Sequence, residues 1–184
     1  LSQPKLWIKS FNTLKNRKNE IEDFIENRIL AEKASRVILS GAGSSHFIGL
    51  SCEDLLRHMW QVDVEARANT EIVTNWESIL LKHVDTTLIS FSRSGNSPES
   101  LGAFFIADKY CEKINHVIIT CNEGAKLMTL RSKNENNVLR IVLPEEANDK
   151  GLAMTSSFTT MLMTAQFLAH IHETGKFEKI IQCA

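Results

Sequence analysis

The chain has 184 residues, 43% of them apolar and 23% charged, with a formal net charge of −1. That composition suits one ordinary globular domain. The near-zero charge gives no basis for nucleic acid or a membrane surface as partner, and no apolar run approaches the roughly 18 residues of a spanning helix.

The pattern predicts a helical arm over residues 1–35, with Leu6, Phe11, Leu14, Ile21, Phe24, Ile25 and Leu30 near a 3.6-residue spacing. The polar run 16–19 divides it into two helices, which pack on the sheet or on a partner subunit. Residues 36–40 read as a first strand, followed by the loop Gly41-Ala42-Gly43-Ser44-Ser45 and a helix to Trp60. In that helix Phe47, Ile48, Leu55, Leu56 and Met59 form the expected sheet-facing stripe. A more polar strand at 62–66 reads as an edge, and Asn69-Thr70-Glu71 caps a short helix. The apolar run 86–91 is a third strand, and Ser97 with Pro98 opens a helix to about Lys113 with Leu101, Phe104, Phe105 and Ala107 inward. Strands at 116–121 and 137–144 follow, with a short helix between them. A long apolar helix spans 156–174, ended by Gly175, and a further helix starts at 176–184. Strands alternating with helices predict a five-stranded parallel, doubly wound α/β sheet with helices on both faces, in the manner of flavodoxin.

Two of the strand-to-helix loops are rich in hydroxyls. Ser92-Arg93-Ser94-Gly95-Asn96-Ser97 leads into a helix N-terminus, where free N–H groups and the helix dipole favour an anion. Gly95 allows close backbone approach, and Ser hydroxyls donate to phosphate oxygens. The Gly41–Ser45 loop repeats the arrangement, and two such loops in one parallel sheet can converge on one ligand. Ordinary βα turns use the same residues. A third hydroxyl cluster, Thr155-Ser156-Ser157 with Thr159 and Thr160, opens the helix after Gly151; simple N-capping by Thr155 or Ser156 is the plain alternative. The run G-A-G-S-S-H also approaches a dinucleotide fingerprint, but His46 stands where the third Gly belongs.

These loops resemble the sugar isomerase (SIS) domain family of phosphosugar-binding proteins. The marks are GAGSS at 41–45, SRSGNSPES at 92–100 and LAMTSSFTT at 152–160. ITCNEGAKL at 119–127 and NDKGLAMTSSFTTM at 148–161 bring the chain closer to the tagatose-6-phosphate ketose/aldose isomerase branch, whose members are also described as galactosamine-6-phosphate deaminase/isomerases. The resemblance implies an SIS domain over 36–175, with Gly43, Ser44 and Ser45 lining a sugar-phosphate pocket. It implies that Ser92, Arg93, Ser94, Gly95 and Ser97 hold the phosphate, with Thr155 and Ser156 in a third ligand-facing segment. It also implies a sugar-phosphate ligand and a tandem of two such domains, the second supplying the Glu, Lys and His segments of proton transfer. The chain stops where that second domain is expected.

Aldose–ketose interconversion needs a base to move a proton between neighbouring carbons. Candidates are His46, Glu71 and Glu99, and more distantly Glu53, Glu145 and Glu146. Glu71 and Glu99 have competing roles in helix first turns. His170 and His172 do not form a ligand pair, and no Cys/His cluster has zinc spacing, so no metal or cofactor is expected. Cys52, Cys111, Cys121 and Cys183 lack any C-x-x-C pattern and read as reduced. With no signal-peptide pattern at Leu1–Lys5, the expected place is the cytoplasm. The leading function is a phosphosugar-binding domain of an aldose–ketose isomerase; the alternative is a non-catalytic sugar-phosphate sensor. The apolar surface of the arm and of the 156–174 helix predicts a homodimer or a second SIS domain as partner.

Overall fold

The structure, a computed structural model, describes residues 3–31, 35–151 and 153–182. Cys183 and Leu152 lie outside the described residues. The arm is two helices, α1 (Gln3–Asn16) and α2 (Lys18–Arg28), broken at Arg17. The alternating part runs β1 (Arg36–Gly41), α3 (Ser44–Trp60), β2 (Asp63–Ala68), α4 (Asn69–Ile79), β3 (Thr86–Phe91), α5 (Pro98–Tyr110), β4 (Ile114–Thr120), α6 (Lys126–Thr129) and β5 (Val138–Val142). Then come α7 (Ser156–Ala169) and α8 (Thr174–Gln182). All strand pairs are parallel, in the order β2-β1-β3-β4-β5, so β2 is an edge as its polar sequence suggested.

The apolar runs of the central strands are explained by burial on both faces. Val37, Leu39, Ile89, Phe91, Val117 and Ile119 point to one face and meet α3 and α7. Ile38 and Leu88 point to the other, under α4 and α5, and Ile118 packs there with Phe104 and Leu127. This is the period-2 alternation of a strand, with both sets of side chains buried.

Several expectations are corrected. Phe47 and Phe105 are 57% and 54% exposed, not inward. Ile48 and Leu56 of α3 are inward as expected, with Leu55 and Met59 partly buried against the same core, and Ser45, Gly49, Cys52 and Trp60 complete the buried stripe. The long terminal helix stops at Ala169. His170 N–H is shared between the Gln166 and Phe167 carbonyls, and a 3₁₀ turn at Ile171–Glu173 follows. That turn lets α8 fold back, so that Phe177 packs against Phe11 and Phe167. Gly175 therefore lies in the first turn of α8 and does not cap α7. The apolar surface of α7 is consumed within the chain, between α1 and α3. The arm packs on this layer through Leu6, Phe11, Leu14, Ile21 and Ile25.

Candidate functional site

β1 and β3 lie side by side in register, with Gly41 opposite Phe91. Their following loops therefore leave the sheet at the same level. The chain turns outward to β2 after β1 and the other way to β4 after β3, which opens a crevice at the carboxyl ends of these two strands. A cavity of about 290 Å³ fills that crevice. The first loop lines it with Gly43, Ser44 and Ser45, and the second with Ser92, Arg93, Ser94 and Ser97. Gly95, Thr155 and Ser156 are not among its lining residues, whereas Ser100 and Met154 are.

Local backbone chemistry shapes both loops. Gly43 has φ +56°, a left-handed turn that starts α3 abruptly, with Ser45 N–H donating to Ala42 O at 3.2 Å and His46 N–H to Gly43 O at 3.0 Å. In the second loop the Ser97 hydroxyl accepts from Ser100 N–H at 3.2 Å, and Pro98 takes the first helical position. Gly95 has φ +60° and faces away from the cavity; a Cβ there would stand 2.4 Å from Ala125 Cβ. Its carbonyl accepts from Leu127 N–H at 2.9 Å, tying the loop to α6.

A segment before α7 closes one side. Arg93 Nη1 donates to Gly151 O at 2.7 Å, and Ser45 Oγ lies 3.7 Å from Met154 Sδ. The α7 N-terminus is capped by Asp149, from outside the helix. Its carboxylate accepts from Thr155 N–H and Oγ1, Ser156 N–H, and Ser157 N–H and Oγ, at 2.7–3.2 Å. Partial burial alone would raise the Asp149 carboxyl; the hydrogen bonds from Ser157 and Thr155 outweigh it and hold it at about 2. The plain alternative of capping by Thr155 or Ser156 is thus replaced by capping from upstream. A wider depression of about 850 Å³ lies beyond Asp149, but Glu145, Glu146 and Asp149 line it against Lys9 and Lys150, a poor balance for an anion.

None of the candidate bases lines the cavity. Glu71 is exposed and accepts from Ala68 N–H at 2.8 Å, a capping contact at the start of α4. Glu53 pairs with Arg57 and accepts from Ala66 N–H at 2.9 Å, joining α3 to β2. Glu99 sits half-buried in the first turn of α5. His46 is half-buried beside Phe47, and its Nδ1 is buried without a hydrogen-bond partner among the described residues. Glu146 pairs with Lys9 on α1. Away from the cavity, Glu22, Glu26 and His172 bring ligand-type atoms within 4.8 Å of one another, but Glu22 is already paired with Lys18. Among the described residues no helix is long and apolar enough to cross a membrane.

Asn69 and Ser100 were not singled out by sequence reasoning. Both are buried, Ser100 in the cavity lining and Asn69 outside it, and Asn69 Nδ2 donates to Ser100 Oγ at 2.8 Å. Their signal was faint: S-P-E-S reads as a cap for Ser97, and nothing local links it to a residue on α4.

Residues 29–171 match the SIS domain family. The chain belongs to that family. D-galactosamine-6-phosphate deaminase AgaS of Escherichia coli is 38% identical over 160 residues, covering 87% of this chain and 41% of that protein. The AgaS deaminase of Shewanella sp. is 38% identical over 175 residues, covering 88% and 42%. In three dimensions, tagatose-6-phosphate ketose/aldose isomerase from Escherichia coli superposes with a TM-score of 0.86 at 36% identity, over 91% of this chain and 45% of that one. The SIS chain thus spans less than half the length of these relatives. Its fold is the five-stranded parallel α/β sheet that the resemblance implied.

Proposed function

We propose that this SIS domain is the phosphosugar-binding half of a sugar-phosphate aldose–ketose isomerase or amino-sugar-phosphate deaminase, taking a hexose 6-phosphate. The observation that carries the reading is the meeting of two hydroxyl-rich loops, each opening a helix, around one cavity of about 290 Å³. Ser44, Ser45, Ser92 and Ser94 can donate to phosphate oxygens, and the N-termini of α3 and α5 add favourable dipoles. Arg93 supplies the cationic side chain at the rim. The volume is near the lower end of small-ligand sites, suited to a sugar phosphate and small for a dinucleotide. The likeness to AgaS and to tagatose-6-phosphate isomerase supports galactosamine 6-phosphate and tagatose 6-phosphate as ligands to try first.

No carboxylate or imidazole among the described residues lines the cavity. Proton transfer between adjacent carbons needs one. In this reading the base comes from a second SIS domain or a second copy of the chain. Phe47 and Leu50, exposed on α3 just beyond the Ser44-Ser45 loop, offer apolar surface for such a partner. The same absence favours a second reading, a sensor that holds the sugar phosphate without changing it. Buried, unpaired Cys52, Cys111 and Cys121 fit a reducing cytoplasm.

Calorimetric titration with galactosamine 6-phosphate and tagatose 6-phosphate tests the grip. Binding of neither would refute the reading. A turnover assay on the chain with and without its partner then separates isomerase from sensor.

A further inference from the structure

A chain of buried polar groups runs from Ser40 through Asn69 to Ser100 and Ser92, the last two in the cavity lining. Ser40, Asn69, Ser100 and Ser92 are 0%, 1%, 2% and 6% exposed, so bulk water does not reorient them. The Ser40 hydroxyl donates to Asn69 Oδ1. Asn69 Nδ2 donates to Ser100 Oγ at 2.8 Å. Ser97 Oγ also donates to Ser100 Oγ, at 2.8 Å. A serine hydroxyl has two acceptor sites and one proton. Either hydroxyl could donate across the 3.3 Å between Ser92 Oγ and Ser100 Oγ, but with both acceptor sites of Ser100 taken, Ser92 has none to donate to, and the Ser100 proton is left for Ser92 or for the cavity that Ser100 also lines. Ser92 then keeps its own proton for the cavity.

From this geometry we infer that Asn69 is a positioning residue that fixes Ser92 as a hydrogen-bond donor, making the cavity selective for an anionic acceptor over a donor-only group such as an ammonium. The inference rests on the reading of the cavity as a phosphosugar site and adds what sets its polarity. Ser94 has the same polarity for a local reason: its Oγ accepts from Asn96 N–H at 3.3 Å, which leaves its proton outward. Ser97 lines the cavity too, but its proton is committed to Ser100 Oγ and one of its lone pairs to Ser100 N–H. An amide is suited to the task because it carries an acceptor on one side and a donor on the other. A carboxylate in its place would accept on both sides.

Asn69→Asp makes that replacement. Ser100 then donates to the carboxylate, Ser92 donates to Ser100, and Ser92 turns a lone pair toward the phosphate. Calorimetry of the full chain with galactosamine 6-phosphate should show affinity lower by about tenfold or more, the range for one lost bond to a charged group. A buried carboxylate is screened little by salt, so the neutral Asn69→Ser is titrated beside it to separate charge repulsion; the loss from the broken relay persists there. Ser92→Ala alone should also weaken binding about tenfold, yet add nothing in the Asn69→Asp background. Additive losses, or unchanged affinity in Asn69→Asp, would overturn the inference. Should Asn69→Asp fail to fold, Asn69→Ser serves in the same cycle: it is neutral and too short to reach Ser100, with a severalfold loss and the same coupling to Ser92 expected. An unaltered chain that binds no galactosamine 6-phosphate refutes the phosphosugar reading itself, whereas binding indifferent to Asn69 refutes only the role of Asn69.

Discussion

Ser157 gives both its backbone N–H, at 2.9 Å, and its hydroxyl, at 2.7 Å, to the carboxylate of Asp149. A residue outside α7 thereby satisfies the donors at its N-terminus, and the segment carrying Gly151 and Met154 is held against the cavity. Asp149→Asn keeps the shape but weakens these charge-assisted bonds. It should lower stability by about 1–2 kcal/mol, the range for a lost helix cap. The folded carboxyl titrates at about 2, below its ordinary 3.8, so its stabilisation is complete above about pH 4 and lost as pH falls through 2. Thermal melts of both proteins should differ at pH 7 and converge near pH 2. An equal gap at both pH values would refute the cap.

Gly95 is held at φ +60° with Ala125 Cβ only 2.4 Å from where its own Cβ would be. Gly95→Ala meets both strain and overlap, and should cost about 1–3 kcal/mol. Gly151, whose added Cβ meets nothing within 4 Å, is the control; Gly151→Ala should leave the denaturant midpoint nearly unchanged.

Ser94 and Ser97 are three residues apart in one loop, and their substitution should separate two effects. Ser94→Ala removes an outward donor and should weaken galactosamine 6-phosphate binding by about tenfold, with stability within about 0.5 kcal/mol of the parent. Ser97→Ala removes the α5 cap and should cost about 1 kcal/mol of stability with a smaller loss of affinity. The reverse pattern in paired melting and calorimetry would show that Ser97 is the ligand contact.

The chain by itself should bind hexose 6-phosphates and convert them slowly, because no carboxylate or imidazole among the described residues lines the cavity. General acid–base catalysis contributes roughly 10²–10⁴-fold, and binding does not replace it. A coupled assay on the purified chain should read well under about 1 s⁻¹ with galactosamine 6-phosphate and tagatose 6-phosphate. Faster turnover would direct attention to His46, Glu71 and Glu99 as residues that reach the sugar.

What the sequence determined by itself was local. Short β-branched runs, hydroxyl-rich loops and Ser97-Pro98 each carry their signal within a few residues, so the five strands, the helix starts and the two loops could be read in order. Which residues share a face also depends on neighbours distant in the chain. The sequence pattern placed Phe47 and Phe105 inward, but the orientation of α3 and α5 on the sheet leaves both exposed. The 156–174 run looked continuous because helical periodicity does not register that Phe177 has a home against Phe11, which turns the chain at His170. Asp149 read as loop polarity and Asn69 as part of a helix cap, and Ser100 drew no reading of its own. Their hydrogen bonds are decided by strand order: β2 and β3 both flank β1, which brings the start of α4 beside the start of α5. A buried amide and a buried hydroxyl then have only each other and their serine neighbours to satisfy them, and that tertiary requirement sets the polarity of the wall behind Ser92.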